Sequence, residues 1–178
     1  MEEAYVISQV RAGKADAFAE IVTHYEAPIL RYLYRLTGDR EVAQDLTQDT
    51  FIKAYKGILK TKNDISFRAW LYRIATNNAL QFHRRKRLLS FIPFTRSEEM
   101  NIPSAEDSAG RTDERIVIEE VLLEVPREQR ICMVLHFVEG LKYREVAEII
   151  GISEDAVRMR VARGRQTFLK IYSGKEVK

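Results

Sequence analysis

Residues 67–87 read FRAWLYRIATNNALQFHRRKR. Phe67, Trp70, Leu71 and Ile74 fall at i, i+3, i+4 and i+7, the spacing of an apolar stripe on a helix. Ser66 stands where an N-cap belongs. The stretch therefore predicts a helix that buries one face. Its other features are unusual for a core helix. It holds the only tryptophan, Trp70, and two adjacent amides, Asn77 and Asn78, and it ends in His83, Arg84, Arg85, Lys86 and Arg87. Aromatic rings and amides stack on or hydrogen-bond unpaired bases, and Arg and Lys neutralise phosphates. Two readings fit: a packed helix whose far end touches single-stranded nucleic acid, or an amphipathic helix with a solvated basic end.

Upstream, the same periodicity continues. Residues 3–13 alternate at helical spacing and end on Gly13, a C-cap residue. Asp16 is placed to cap the next helix. Phe18, Ile21, Val22, Tyr25, Ile29, Leu33 and Leu36 form its apolar stripe. Pro28 is expected to bend it and Gly38 to stop it. Residues 39–59 predict a third helix. Its buried side is Val42, Ala43, Leu46, Thr50, Ala54 and Ile58. A second face carries Gln44, Asp45, Gln48, Asp49 and Ile52. Either this face is simply solvated, or it docks a basic partner helix. Asp45 and Asp49 are like charges one turn apart, a small cost that a basic partner would offset. Residues 60–65 are a short polar connection.

Downstream, residues 88–111 change character. They carry Pro93 and Pro103 among Ser, Glu and Asp, and read as a flexible linker between two domains. Leu88, Leu89, Phe91, Ile92 and Phe94 are apolar for a linker and could pack on a surface. From residue 112 helical spacing returns. Ile116, Val117, Val121 and Leu122 make one stripe, and Ile131, Val134, Leu135 and Val138 the next. Pro126 is expected at the first position of the helix between them. Cys132 reads as a small hydrophobe within it.

Residues 143–163, YREVAEIIGISEDAVRMRVAR, read as a helix-turn-helix. Val146, Ala147 and Ile150 line a short helix. Gly151 suits the left-handed turn, Ile152 faces inward, and Ser153 caps the second helix. Glu154 and Asp155 suit its positive end. Val157 and Val161 face the core. Arg158, Met159, Arg160 and Arg163 lie early on that helix, with Arg165 beyond. Arginine pairs bidentately with guanine in the major groove. The alternative is a small helical bundle with a solvated basic helix.

The whole is an all-α chain of two helical domains, 1–87 and 112–173, with no strand pattern. At 178 residues, 46% apolar and 31% charged, it is an ordinary globular composition. The net charge of +3 is small, so any nucleic-acid footprint comes from local clusters. One cysteine permits no internal disulfide. The start, MEEAYVISQV, lacks a secretion signal, and no apolar run reaches the ~18 residues of a membrane span. A cytoplasmic location without direct membrane insertion is expected. His24, His83 and His136 have no metal-ligand spacing, and no phosphate loop or nucleophile elbow occurs. No metal, cofactor, small-molecule substrate or enzymatic activity is expected.

The segments AQDLTQDTFIKAY, FRAWLYRIATN and GLKYREVAEIIGISEDAVRMRVARGR, in this order, resemble the bacterial extracytoplasmic-function sigma factors. The resemblance spans roughly residues 5–87 and 113–172. It implies a subunit that binds core RNA polymerase and directs promoter-specific initiation. Gln44, Asp45, Gln48, Asp49 and Ile52 would bind the coiled coil of the largest-subunit clamp. Trp70, Arg73, Asn77, Asn78, Gln81, Arg84, Arg85 and Lys86 would open and hold the −10 element, with a flipped base captured beside Asn77. Ser153, Arg158, Met159, Arg160, Arg163 and Arg165 would read the −35 element. The linker would run near the active-site channel of the polymerase. An anti-sigma protein is a further implied partner.

Some positions depart from the family pattern. Lys142 replaces the usual Ser or Thr. Asp155, Ala156 and Val157 stand for the frequent Gly-Thr-Val, and Met159 for a small polar residue. A free-standing regulator using the helix-turn-helix alone would favour a dimer on a near-palindromic site, and no dimer seam is visible. An adaptor that never touches DNA leaves the reader arginines unexplained.

Overall fold

A computed structural model describes residues 3–60, 66–90 and 113–176. The expected connection at 61–65 and the linker at 91–111 lie outside them. Among the described residues the chain is built of helices joined by short turns, with no strand. The helices are α1 (Glu3–Arg11), α2 (Phe18–Thr37), α3 (Arg40–Ile58), α4 (Phe67–Ser90), α5 (Asp113–Glu124), α6 (Arg127–Met133), α7 (Tyr143–Ile150) and α8 (Glu154–Glu176).

In the first unit, α2, α3 and α4 bury their apolar stripes against one another. Ile21, Ile29, Leu33, Ala43, Ala54, Leu71 and Ala75 are fully buried. Ser66 caps α4 as expected, its Oγ accepting from the Ala69 amide at 3.2 Å. Asp39 caps α3, accepting from Val42 at 3.0 Å. Gly38 ends α2 with its N–H on the Tyr34 carbonyl, 2.8 Å away. Trp70 lies across α3 at Gly57. A Cβ there would stand 2.7 Å from the indole ring, so only glycine admits this close crossing. A buried hydroxyl pair, Tyr32 and Thr76 at 2.7 Å, ties α2 to α4.

The second unit is α5–α8. Gly151 takes φ +78° and closes α7 with its N–H on Ala147 O at 2.8 Å. Ser153 caps α8 through the Ala156 amide at 3.2 Å. Val157 and Val161 are buried. Lys142 has no acceptor to cap α7, but the other half of a capping box remains: Glu145 accepts the Lys142 amide at 2.8 Å. Cys132 is buried, and burial pushes its thiol up to about 11, so it behaves as the expected hydrophobe.

Several local expectations are corrected. Asp16 makes no cap. It sits within a 3-10 turn, Ala15–Ala17, which leads directly into α2. Pro28 lies inside α2, where the sequence places it, and the helix runs on through it. Pro126 is the N-cap of α6, one position earlier than expected. Val138 does not join the buried stripe. Residues Val134–Val138 form a π-helical turn, with the Glu139 amide bonding Val134 O at 3.0 Å. The wider turn rotates Phe137 and Val138 outward, leaving both about half exposed. α4 itself runs on to Ser90.

The two units pack on each other. α7 lies against α4, and α5 and α6 against α2. Leu123 touches Gly38. Glu139, just after the π turn, is the polar centre of the seam. Its carboxylate accepts from Tyr72 Oη and pairs with Arg35 at 3.7 Å; its backbone carbonyl accepts from Arg68.

Candidate nucleic-acid and polymerase interfaces

On α4, Arg73, Asn77, Gln81 and Arg84 are exposed and fall at i, i+4, i+8 and i+11, one face of a helix. Arg85 and Lys86 are exposed beside them. The face offers amides, then three cations, and is open along its length. Asn78 departs from it. It is buried, its Nδ2 donating to Thr50 Oγ1 at 2.9 Å and its Oδ1 accepting from Lys53 Nζ. One residue is a 100° rotation on a helix, which turns Asn78 from the outer face into the α3 contact. Both ends of its amide are used inside the bundle, so it does not stand on the outward face with Asn77. Trp70 is partly buried between Phe67, with ring centroids 5.6 Å apart, and Gly57.

On α3, Gln44, Asp45, Gln48, Asp49 and Ile52 are all exposed. Ile52 is 52% exposed, a large apolar side chain set among amides and acids. This is the composition of a face that can meet a basic, partly apolar surface.

On α8, Arg158, Met159, Arg163 and Arg165 are exposed. Arg158 pairs with Glu154 on its own helix at 2.6 Å. Arg160 lies apart from them. It points back toward α6, pairs with Glu128 at 2.8 Å and reaches the Cys132 thiol. It holds α8 to α6 and does not join the outer arginines. Ser153, expected to touch DNA, is exposed, and its hydroxyl accepts the capping bond.

The residues that sequence reasoning missed are those whose roles need distant partners. Thr50 and Lys53 hold Asn78 across 28 and 25 residues, and Tyr72 meets Glu139 across 67. No spacing rule reaches that far. Among the described residues, no group of three or more His, Cys, Asp or Glu could hold a metal ion, and no helix is long and apolar enough to cross a membrane.

Fold and surfaces together define a two-part helical protein with a helix-turn-helix. Comparison with known proteins carries the assignment further. Residues 21–88 match Sigma-70 region 2 and residues 115–168 match Sigma-70 region 4. The chain is 32% identical to the extracytoplasmic-function (ECF) sigma factor SigW of Bacillus subtilis over 174 residues, covering 92% of this chain and 93% of SigW. It is 28% identical to the RNA polymerase sigma-H factor of Pseudomonas aeruginosa, covering 95% and 93%. CnrH, solved in complex with the cytosolic domain of CnrY, has the same fold, with TM-score 0.71, 22% identity and 96% of both chains covered. So has RpoE of Bartonella quintana, solved with the anti-sigma factor NepR, with TM-score 0.72, 23% identity, and 88% of this chain and 96% of that one covered. The chain belongs to the extracytoplasmic-function sigma factors. It is an RNA polymerase sigma factor that directs promoter-specific transcription initiation, in a family generally not catalytic.

Proposed function

We propose a division of labour among the three surfaces. The α3 face of Gln44, Asp45, Gln48, Asp49 and Ile52 binds the largest-subunit clamp of the polymerase. The α4 face of Arg73, Asn77, Gln81, Arg84, Arg85 and Lys86, with the edge of Trp70, opens and holds the −10 element. Arg158, Met159, Arg163 and Arg165 on α8 read the −35 element. The single observation that carries this reading is the outward row Arg73, Asn77, Gln81 and Arg84 on a helix whose opposite face is packed as far as residue 83. It places an amide for base capture between cations for phosphate. The domain limits are those of the sequence, 1–87 and 112–173, with residues 88–111 passing near the polymerase active site.

The chain does no covalent chemistry of its own. Its contribution is binding free energy. Unstacking costs roughly 1–2 kcal/mol per base-pair step. Base stacking and capture contribute about 1–3 kcal/mol per base. The chain acts in the cytoplasm with core polymerase, and an anti-sigma protein holds it inactive, as CnrY- and NepR-bound relatives suggest.

The test is transcription from a genomic promoter library by core polymerase with and without the protein. New starts sharing two upstream elements are expected. Tight binding to duplex operators without polymerase, and no binding to core, would overturn the reading in favour of a free-standing regulator.

Arg158 and Arg160 separate the reading surface from the packing surface. Arg158→Ala is expected to relax discrimination at one −35 base pair by about 1–3 kcal/mol. Arg160→Ala loses a partly exposed pair worth less than about 1 kcal/mol. It should lower the melting temperature slightly and leave −35 preference unchanged. Transcription from single-base −35 variants, beside a thermal melt, checks both.

A further inference from the structure

Three elements meet behind the reader helix. The His136 ring, in the π-helical turn, stacks on Tyr143 at the start of α7, with centroids 4.1 Å apart and planes at 24°. His136 Nδ1 lies 2.9 Å from the Leu141 carbonyl, which fixes the ring that supports the stack. The Arg158 guanidinium sits over the Tyr143 ring, 5.0 Å from its centroid. Glu154 takes the Arg158 Nη2 at 2.6 Å from the same helix.

We propose that Tyr143 is a positioning residue for −35 recognition: its ring, backed by His136, holds the Arg158 guanidinium ready to meet a base edge. This inference rests on the proposal that Arg158 reads the −35 element. An exposed arginine has many rotamers, and a bidentate contact uses one of them. A flat ring beneath the guanidinium favours orientations in which its donor edge faces outward, and it does so before DNA arrives. Glu154 alone does not fix the plane of the guanidinium. The ring of Tyr143 does, and it is anchored to the interior through His136. The π-helical turn acquires a purpose here, since it carries the supporting His136.

The stack requires the ring and not the hydroxyl. The experiment uses holoenzyme assembled from core polymerase and full-length chain, assayed on one promoter and its single-base −35 variants. Tyr143→Phe should keep the wild-type preference. Tyr143→Leu should flatten preference at one base pair by about three- to fivefold, the size of an exposed cation–π contact. Affinity for core and thermal stability are measured alongside, and Tyr143→Met replaces the Leu variant if that one does not fold. In an Arg158→Ala background, Tyr143→Leu should add nothing to the loss at that base pair. Uniform weakening on every −35 sequence would overturn the proposal, because it marks a fold or phosphate role. Equal damage from Phe and Leu would also overturn it. If Arg158→Ala leaves −35 preference intact, the reading of Arg158 itself fails and the inference with it. That outcome is distinct from a failure of Tyr143 alone.

Discussion

Asn77→Ala is expected to cut promoter opening by about ten- to a hundredfold while leaving the fold intact, and Asn78→Ala to do the reverse. Asn77 is exposed midway along the outward face of α4. Losing a base-capturing side chain costs on the order of 1–3 kcal/mol. Nothing in the packing depends on it. Asn78 is buried and bridges Thr50 and Lys53 on α3. Its truncation leaves the Lys53 ammonium without that acceptor and removes the donor to Thr50. Such a loss costs about 1–3 kcal/mol, before any cavity is counted. For a chain of this size that is a fall in melting temperature of roughly 2–10 °C. Permanganate reactivity of −10 thymines reports opening, and a thermal melt reports folding. The division fails if Asn77→Ala opens promoters at the wild-type rate, or if Asn78→Ala blocks opening without loss of stability.

This adjacent pair also shows where sequence reading stops. Periodicity placed the buried stripes of α2, α3 and α4 because each repeats every three or four residues along one helix. The helix-turn-helix was legible for a similar local reason: Gly151, Ser153, Val157 and Val161 each act within a few residues of their own position. The exposed face of α3 was legible too, as the complement of a clear stripe. Asn77 and Asn78 are adjacent amides in the stretch that the resemblance assigns to the −10 element, and only the angle of the helix against α3 separates them. Arg160 was grouped with its neighbours on charge, while its partner Glu128 lies 32 positions away on another helix. The π-helical turn at Val134–Val138 has no signature of its own, since its residues equally suit an α-helix. The packing of one unit on the other was invisible, because Glu139 finds Arg35, Arg68 and Tyr72 only after both units have folded.

Glu139→Ala should loosen the two units from each other. In the closed arrangement the Glu139 carboxylate is only 9% exposed and meets both the Tyr72 hydroxyl and Arg35. Burial, then the carboxylate itself, pushes the Tyr72 phenol well above its ordinary value, so the hydroxyl remains a donor at all working pH values. The Arg35 contact is longer, at 3.7 Å, and lies beyond hydrogen-bond reach. The hydrogen bond to a charged acceptor is worth about 1.5–3 kcal/mol. A loss of ~2 kcal/mol shifts a closed-to-open equilibrium roughly thirtyfold. The Arg68 bond to the Glu139 backbone carbonyl survives in the alanine variant, so the units should separate more often without unfolding. Acid acts on the same seam. His83 is held below its ordinary value first by burial, with Arg127, Arg130 and Lys86 adding repulsion and the Leu36 carbonyl partly opposing them. A depressed histidine favours the folded, neutral form. Its contribution is therefore complete above the ordinary histidine range and is lost as pH falls through it. Small-angle scattering should show a larger radius of gyration for Glu139→Ala, an intermediate one for Glu139→Gln, and expansion of the wild type on acidification. Binding to core polymerase should also be faster, because the proposed reading of two separated promoter elements requires α4 and α8 to part first. An unchanged scattering profile for the alanine variant would mean that apolar contacts such as Leu123 on Gly38 hold the seam, and that Glu139 only decorates it.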